Sequence, residues 1–214
     1  MATPVPDPSV PLLTVEGLEC RRGERTLFSG LGFRLEPGAI LWLRGANGQG
    51  KTTLLRTLAG LSRPEAGRLD WAEAPSAGHT LYLAHANALK EELSALESLH
   101  FLRQLDGGST DAAELAAALA RVGMAGRRDA PVRTLSQGQR RRVALARLAL
   151  PGTARVWLLD EPFDALDADG VEILNGLLVE HAGRGGGVML TSHLALSIRE
   201  PRPETISLEA QVPA

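Results

Sequence analysis

The feature that most constrains this chain is a glycine-rich loop between a predicted strand and a predicted helix. An apolar run at residues 38–44 precedes the loop, and leucines follow it at helical spacing at positions 54, 55, 58 and 61. The loop fits the pattern G-x-x-x-x-G-K-[ST], and its residues are Gly45, Ala46, Asn47, Gly48, Gln49, Gly50, Lys51, Thr52 and Thr53. Strand, loop and helix in this order are typical of a phosphate-binding P-loop.

The chemistry of such a loop follows from its residue types. Glycines let the backbone curl so that several N–H groups face one anion, and the next helix directs its positive end at the same anion. Lys51 can reach the β- and γ-phosphates of a nucleotide, and the Thr52 hydroxyl can bind Mg²⁺. A chance glycine turn before a core helix is the alternative, which the flanking segments disfavour. The loop alone does not distinguish kinases, GTPases and transport ATPases.

Length and composition predict one ordinary globular domain. We place it at residues 12–208 of the 214, with tails at 1–11 and 209–214. A net charge of −2 gives no basic field that would attract nucleic acid. The single cysteine, Cys20, excludes an internal disulfide and fits a reducing compartment. No signal peptide is evident, and no apolar run reaches the ~18 residues that span a bilayer, so we expect a cytoplasmic location.

Strand-like and helix-like segments alternate in blocks along the chain. The first two predicted strands form a small β layer ahead of the P-loop strand, and a turn is expected at residues 21–24. From Leu89 leucines recur every three or four residues, and residues 111–122 are rich in alanine and leucine. This predicts a helical subdomain inserted at residues 87–150. Beyond the P-loop strand we predict strands at residues 12–18, 26–35, 69–71, 80–84 and 205–208.

A second possible anion-binding helix end follows the helical block, in the sequence Leu-Ser-Gln-Gly-Gln at residues 135–139. Ser136 is a good N-cap, and Gly138 leaves backbone amides open at a helix start. A capped surface helix is the alternative. Three arginines, residues 140–142, come next, and we predict that they form a solvated face rather than a nucleic-acid patch.

Two further apolar runs end in polar residues that could act in catalysis. Residues 156–159 lead into Asp160 and Glu161, and residues 188–192 lead into His193. Parallel strands in α/β proteins deliver catalytic groups at their carboxyl ends. Asp160 would hold Mg²⁺, which prefers oxygen ligands, and Glu161 would polarise an attacking water. Polar strand ends without a catalytic role are the alternative.

The chain resembles an ATP-binding cassette (ABC) ATPase in the order of its motifs. These are the P-loop, the L-S-Q-G-Q segment, the strand-end Asp-Glu pair, the Ala-Leu-Asp at 165–167 and the late histidine. The resemblance spans residues 12–208 and implies a P-loop NTPase core, a RecA-like mixed sheet with flanking helices, an N-terminal antiparallel β layer and an inserted helical subdomain. It also implies a homodimer that binds ATP between one P-loop and the partner's signature segment. In that arrangement Ser136, Gly138 and Gln139 contact nucleotide across the interface, His193 contacts the γ-phosphate, and Asp167 couples the two sites.

A narrower resemblance lies in residues 81–85 and 89–99, which are similar to the haem-exporter ATPases of cytochrome c maturation. It implies Mg²⁺ and ATP as cofactors, a polytopic permease partner, no nucleic acid, and a peripheral place on the inner face of the cell membrane. Alternatives are the ATPase of another small exporter, a soluble ABC ATPase acting on nucleic acid or ribosomes, a small-molecule kinase and an ATP sensor without catalysis.

Two positions depart from the wider family pattern. His85 stands where most cassettes carry a glutamine, and imidazole nitrogen is a poorer Mg²⁺ ligand than oxygen. We therefore expect His85 to act through water or its N–H, or else to pack at a strand end. No aromatic residue lies near Cys20 to stack on adenine, and the guanidinium of Arg21 or Arg22 could replace it. The alternative is that both arginines are solvated turn residues.

Overall fold

The computed structural model describes residues 10–73, 79–152 and 154–208, which form eight strands and five α-helices in those ranges. The strands are β1 (Leu13–Arg22), β2 (Arg25–Leu35), β3 (Ile40–Arg44), β4 (Ala66–Trp71), β5 (Thr80–Leu83), β6 (Val156–Leu159), β7 (Gly187–Thr191) and β8 (Glu204–Ser207). The helices are α1 (Lys51–Leu58), α2 (Ala95–Leu105), α3 (Ala112–Arg121), α4 (Gln137–Leu145) and α5 (Ala168–Gly183).

The strands form two sheets with different strand directions. Strands β2, β1 and β4 make an antiparallel layer in that order. The other sheet has the order β5-β6-β7-β3-β8, and each of its strand pairs is parallel. The predicted fold class is confirmed, and the mixture of strand directions lies between the two sheets rather than within one. Because parallel strands end at one edge, the order brings the carboxyl ends of β6, β7 and β3 side by side.

Side chains of β6 alternate between two apolar cores. Val156 and Leu158 pack with the antiparallel layer and α1, whereas Trp157 and Leu159 pack with apolar residues of α2–α5. All four residues are buried. Alternation follows from the period of two along a strand, and burial on both faces is what a parallel sheet covered on each side requires.

Helices α2, α3 and α4 lie between β5 and β6 in the sequence, within the predicted subdomain at 87–150. Helix α2 begins at Ala95, later than the leucine spacing from residue 89 predicts. A capping box explains the start: the Ser94 hydroxyl accepts from the Glu97 N–H at 3.2 Å, and the Glu97 carboxylate accepts from the Ser94 N–H at 2.8 Å. Asp111 is the N-cap of α3, and its carboxylate accepts from the backbone N–H groups of Ala113 and Glu114.

The turn predicted at residues 21–24 was too wide. The hairpin turn between β1 and β2 is only Gly23 and Glu24, so Arg21 and Arg22 belong to β1. Strand β4 begins at Ala66, three residues before the strand predicted at 69–71. In the described ranges, no helix combines the length and apolarity needed to cross a membrane. Most of the predicted tails, residues 1–9 and 209–214, lies outside the described residues.

Candidate functional site

The P-loop connects β3 to α1 and is closed by its own hydrogen bonds. Gly48 and Gly50 have φ of 81° and 102°, a region that side chains other than glycine rarely adopt. A Cβ at Gly50 would also lie 3.0 Å from the Leu27 side chain. The Ala46 N–H donates to Gln49 Oε1 at 2.6 Å. Glycine is thus required both by the turn and by the close approach of β2.

Lys51 and Thr52 open α1 and direct their polar ends differently. Lys51 Nζ donates to the Gly45 carbonyl at 2.7 Å, so the ammonium lies over the loop. Thr52 Oγ1 donates to Asp160 Oδ2 at 2.8 Å and thereby joins the P-loop helix to the end of β6. The Thr52 hydroxyl and the Asp160 carboxylate are oxygen ligands side by side, which is the donor type that Mg²⁺ prefers.

Asp160 and Glu161 are buried and are held by one threonine of the neighbouring strand. Thr191 Oγ1 donates to Asp160 Oδ1 at 3.0 Å and accepts from the Glu161 N–H at 2.7 Å. Thr191 is completely buried at the end of β7, between β6 and β3. The sequence pattern alone assigns Thr191 only to an apolar strand. The signal that could have revealed its role is a hydroxyl at the end of an otherwise apolar run.

Glu161 has an unusual backbone and one oxygen without a hydrogen bond. Its φ is +48°, which non-glycine residues adopt rarely and at an energetic cost. Oε2 accepts a hydrogen bond from the backbone N–H of His193 at 3.1 Å. Oε1 is buried and takes no hydrogen bond from any described residue, although His193 Nε2 lies 3.5 Å away. Glu161 therefore keeps a carboxylate oxygen available to a proton donor.

One open cleft of about 320 Å³ is lined by Lys51, Thr52, Asp160, Glu161 and His193 together with other residues. Gly45 and Ala46 line an adjoining cleft that Lys51 and His193 share, and Gln49 lines neither. The first cleft is lined by Arg22, Leu27, Asn47, Gly48, Gly50, Lys51, Thr52, Thr53, His85, Asp160, Glu161, Asp164 and His193. The fold therefore brings the P-loop together with the predicted metal, base and histidine positions.

The predicted signature residues lie elsewhere. Ser136, Gly138 and Gln139 line neither of the two clefts. Ser136 caps α4 in a capping box, in which its hydroxyl accepts from the Gln139 N–H and Gln139 Oε1 accepts from the Ser136 N–H. A Cβ at Gly138 would lie 2.7 Å from the Ala165 carbonyl oxygen, so glycine is needed for this close approach.

The prediction that residues 140–142 form a solvated face is wrong. Arg141 is 2% exposed. Arg142 pairs with Asp167, and this hydrogen bond lowers the pKa of the Asp167 carboxyl. Arg140 donates to the carbonyls of Val132 and Leu135. Consecutive helical residues point about 100° apart, so three in a row cannot share one face.

His85 lies at the cleft rather than in a packed position. Its side chain is 68% exposed, and its Nδ1 lies 3.4 Å from Asp164 Oδ2. The alternative of a histidine packed at a strand end is therefore wrong. Asp164 itself was not singled out from the sequence, and no spacing pattern connects it to His85.

Of the two arginines considered for adenine, Arg22 lines the cleft together with Leu27. Arg21 instead pairs with Glu19 at 3.6 Å and donates to Thr26 Oγ1 at 3.1 Å. No phenylalanine, tyrosine or tryptophan is among the described residues that line the cleft. A nucleotide base at this end would therefore have one guanidinium and one aliphatic side chain as its platform.

We expect Arg22→Ala to weaken ATP binding only several-fold, because an exposed stacking or cation–π contact contributes ~0.5–1 kcal/mol. GTP should compete appreciably with ATP in the unaltered protein. Fluorescent-nucleotide displacement measures both affinities, and Arg21→Ala is the matched control that should bind as the unaltered protein does. A hundredfold preference for ATP over GTP would show that another part of the chain reads the base.

Comparison with known proteins identifies the family of the chain. A family model described as ABC transporter matches residues 28–164. The cytochrome c biogenesis ATP-binding export protein CcmA of Methylococcus capsulatus is 48% identical over 194 residues, which is 87% of this chain and 93% of that protein. The protein of the same name from Shigella flexneri is 48% identical over 204 residues, covering 92% of this chain and 96% of its own.

Solved structures give the same fold at lower identity. A putative ABC transporter ATP-binding protein from Pyrococcus furiosus superposes with a TM-score of 0.80 at 24% identity, over 94% of this chain and 99% of that one. The ATP-binding subunit of another ABC transporter superposes with a TM-score of 0.78 at 23% identity, over 92% of this chain and 85% of that one.

Proposed function

This chain belongs to the ABC transporter family, and on that premise we propose that it is the ATP-hydrolysing subunit of a membrane transporter that exports haem for c-type cytochrome assembly. The observation that carries the hydrolytic role is the contact of Thr52 with Asp160 at 2.8 Å, one residue from Glu161. It supports the proposal because the groups that would bind phosphate, hold the metal and activate water then lie in a single cleft. The named function of the CcmA relatives supports the cytochrome c role.

Substrate binding uses the P-loop backbone and Lys51. The N–H groups of the loop and of the first turn of α1 would hold the phosphates of ATP, as in other helix-end anion sites. Lys51 Nζ would exchange its contact with the Gly45 carbonyl for the phosphate oxygens. Thr52 and Asp160 would hold Mg²⁺, which when bound neutralises phosphate charge. In nucleotide sites Mg²⁺ usually binds one or two oxygen ligands from the protein, and phosphate oxygens and waters supply the others.

Hydrolysis would depend on Glu161 and His193. Oε1 of Glu161 would accept a proton from the attacking water as its oxygen bonds to the γ-phosphorus and the bond to the leaving ADP breaks. The backbone N–H of His193 donates to the other carboxylate oxygen, Oε2, and this contact fixes the direction of Oε1. The exposed imidazole of His193 would donate to the γ-phosphate. Most of the rate increase then comes from positioning and from stabilisation of charge.

A second copy of the chain would complete the site. Ser136, Gly138 and Gln139 do not line the cleft of their own chain, and the start of α4 offers a second anion-binding end. A head-to-tail homodimer would bring the partner's α4 to the nucleotide. The predicted subdomain at 87–150 would contact the polytopic permease, which places the ATPase peripherally at the inner face of the cell membrane. Nucleic acid has no part in this proposal.

The proposal can be tested in cells that lack their own copy of the ATPase. The unaltered chain should restore haem-stained c-type cytochromes, and Lys51→Ala should not, because it removes the phosphate-binding ammonium. Arg68→Ala, a 73% exposed position on the antiparallel layer, is the control and should restore them fully. Normal cytochromes with Lys51→Ala at equal protein levels would contradict the proposal.

A further inference from the structure

One buried arginine contacts the chain segment that carries the catalytic carboxylates. Arg141 Nη2 donates to the carbonyls of Asp160 at 3.1 Å and Glu161 at 2.7 Å, and Nε donates to the carbonyl of Pro162 at 3.2 Å. These three peptide groups follow β6 directly. A single side chain therefore satisfies every carbonyl between Asp160 and Pro162.

The other edge of the same guanidinium holds the exit of the neighbouring strand. Arg141 Nη1 donates to the Ala84 carbonyl at 3.1 Å and to Asn87 Oδ1 at 2.9 Å, with the His85 carbonyl at 3.5 Å. Strands β5 and β6 are paired in parallel, so their ends lie side by side. Arg141 thus joins the loop that carries His85 to the loop that carries Glu161.

The chemistry of these contacts is unusual for a charged group. Every hydrogen-bond acceptor of Arg141 among the described residues is neutral, and the side chain is almost fully buried. Burial lowers the pKa of its guanidinium, against the opposing fields of the Asp164, Asp160 and Glu161 carboxylates. A buried charge without a directly bonded counter-ion is costly, and it persists where its donors are needed. The five N–H donors of a planar guanidinium suit such a set of carbonyls, which an ammonium cannot match.

We propose that Arg141 is a positioning residue for ATP hydrolysis, and that it fixes the orientation of the Glu161 carboxylate through the main chain. The left-handed backbone of Glu161 is held at its N–H by Thr191 and at its carbonyl by Arg141, each at 2.7 Å. Loss of the second contact would leave this carbonyl with the weaker hydrogen bond from the Asp164 N–H, at 3.2 Å, and so loosen the peptide that sets the direction of the side chain. This inference rests on the proposed role of Glu161.

The position of Arg141 on α4 gives the same contact a second consequence. Helix α4 touches the segment after β6 again at Gly138, against the Ala165 carbonyl, and at Arg142, which pairs with Asp167. Three successive contacts make α4 and residues 160–167 one unit. Arg141 therefore lies between the start of α4 and Glu161 in a continuous set of contacts.

The test compares Arg141→Met, which keeps the aliphatic length, with Arg141→Lys, which keeps the charge. Misplacement of a reacting group by about 1 Å costs on the order of 10²-fold, so kcat should fall about 100-fold in Arg141→Met and about 10-fold in Arg141→Lys. KM and the Kd for ADP should stay within about threefold of the unaltered values, since Arg141 touches no P-loop atom. Thermal melting checks the fold, and Arg141→Lys keeps the test open if Arg141→Met does not fold.

Arg140→Met is the matched control, because Arg140 also donates to main-chain carbonyls but away from Glu161, and its kcat should stay near the unaltered value. The decisive comparison is made in a Glu161→Gln background with single-turnover ATP cleavage. If Arg141 acts through Glu161, Arg141→Lys should lower that residual rate less than twofold. A full tenfold loss in the Glu161→Gln background would overturn the inference. So would an unaltered kcat in both Arg141→Met and Arg141→Lys. If Glu161→Gln itself hydrolyses ATP normally, the proposed role of Glu161 fails instead.

Discussion

Glu161→Gln should lower ATP turnover by about 10²–10⁴-fold, the range that a general base contributes. The amide keeps the size of the side chain, and its carbonyl oxygen can still accept from the His193 N–H. What is lost is the carboxylate oxygen Oε1 that would take the proton. Steady-state phosphate release measures turnover, and equilibrium titration should show that ATP affinity changes little, because Thr52 and Asp160 are untouched.

The same variant should accumulate an ATP-bound homodimer, which gel filtration with MgATP would detect as a doubled mass. Glu172→Gln on the exposed side of α5 is the control and should hydrolyse ATP at the unaltered rate. A Glu161→Gln protein that turns over ATP normally would contradict the assignment of the base. A protein that is inactive and monomeric with ATP would instead count against the homodimer.

His181 should make the stability of the fold depend on pH. Its ring is buried, stacks on Trp157 with centroids 3.7 Å apart and contacts the Arg155 carbonyl at 3.1 Å. Burial, the largest cause, lowers the pKa of His181 to about 4. An unfolded histidine titrates near ~6.5 and so binds more protons than the folded one in this interval. The contribution of His181 to the free energy of unfolding is therefore fully present above about pH 6.5. It falls by roughly 3 kcal/mol as the pH drops to about 4.

Urea unfolding at several pH values between 7 and 4 measures this dependence. Carboxylates also titrate in the lower part of the window, so the comparison is made with His181→Phe, which keeps the aromatic stack but cannot bind a proton. The fall in unfolding free energy between pH 7 and 5 should be smaller in this variant. His100→Phe, at a half-buried position on α2, should keep the original slope. An unchanged slope in His181→Phe would rule out this assignment.

The local parts of the site could be predicted from the sequence. The P-loop depends on nine consecutive residues, and Asp160 and Glu161 follow an apolar strand directly, so neighbouring residues carry the signal. The end of β6 could be placed near the P-loop only through the general rule for parallel sheets. The strand order, in which β7 separates β6 from β3, depends on long-range pairing that no local pattern contains.

Contacts between distant segments account for what the sequence analysis missed. Thr191 lies 31 residues from its Asp160 partner in the chain, and Arg141 lies 57 residues from the Ala84 carbonyl that it binds. The residues beside each of them in the sequence do not identify these partners. Composition predicts that arginines lie at the surface, but the carbonyls at the ends of β5 and β6 need donors, and the nearest helix supplies a buried one.

The alternation of β6 between two cores has a consequence for how this protein can vary. Trp157 and Leu158 face opposite cores, and Asp160 follows two residues later. A volume change in either core would press on the same short strand and shift the carboxylates at its end, because packed interiors transmit strain. Substitutions at apolar positions remote from the cleft should thus change the reaction geometry as well as the stability. Compensating substitutions should therefore occur in pairs, one on each side of β6.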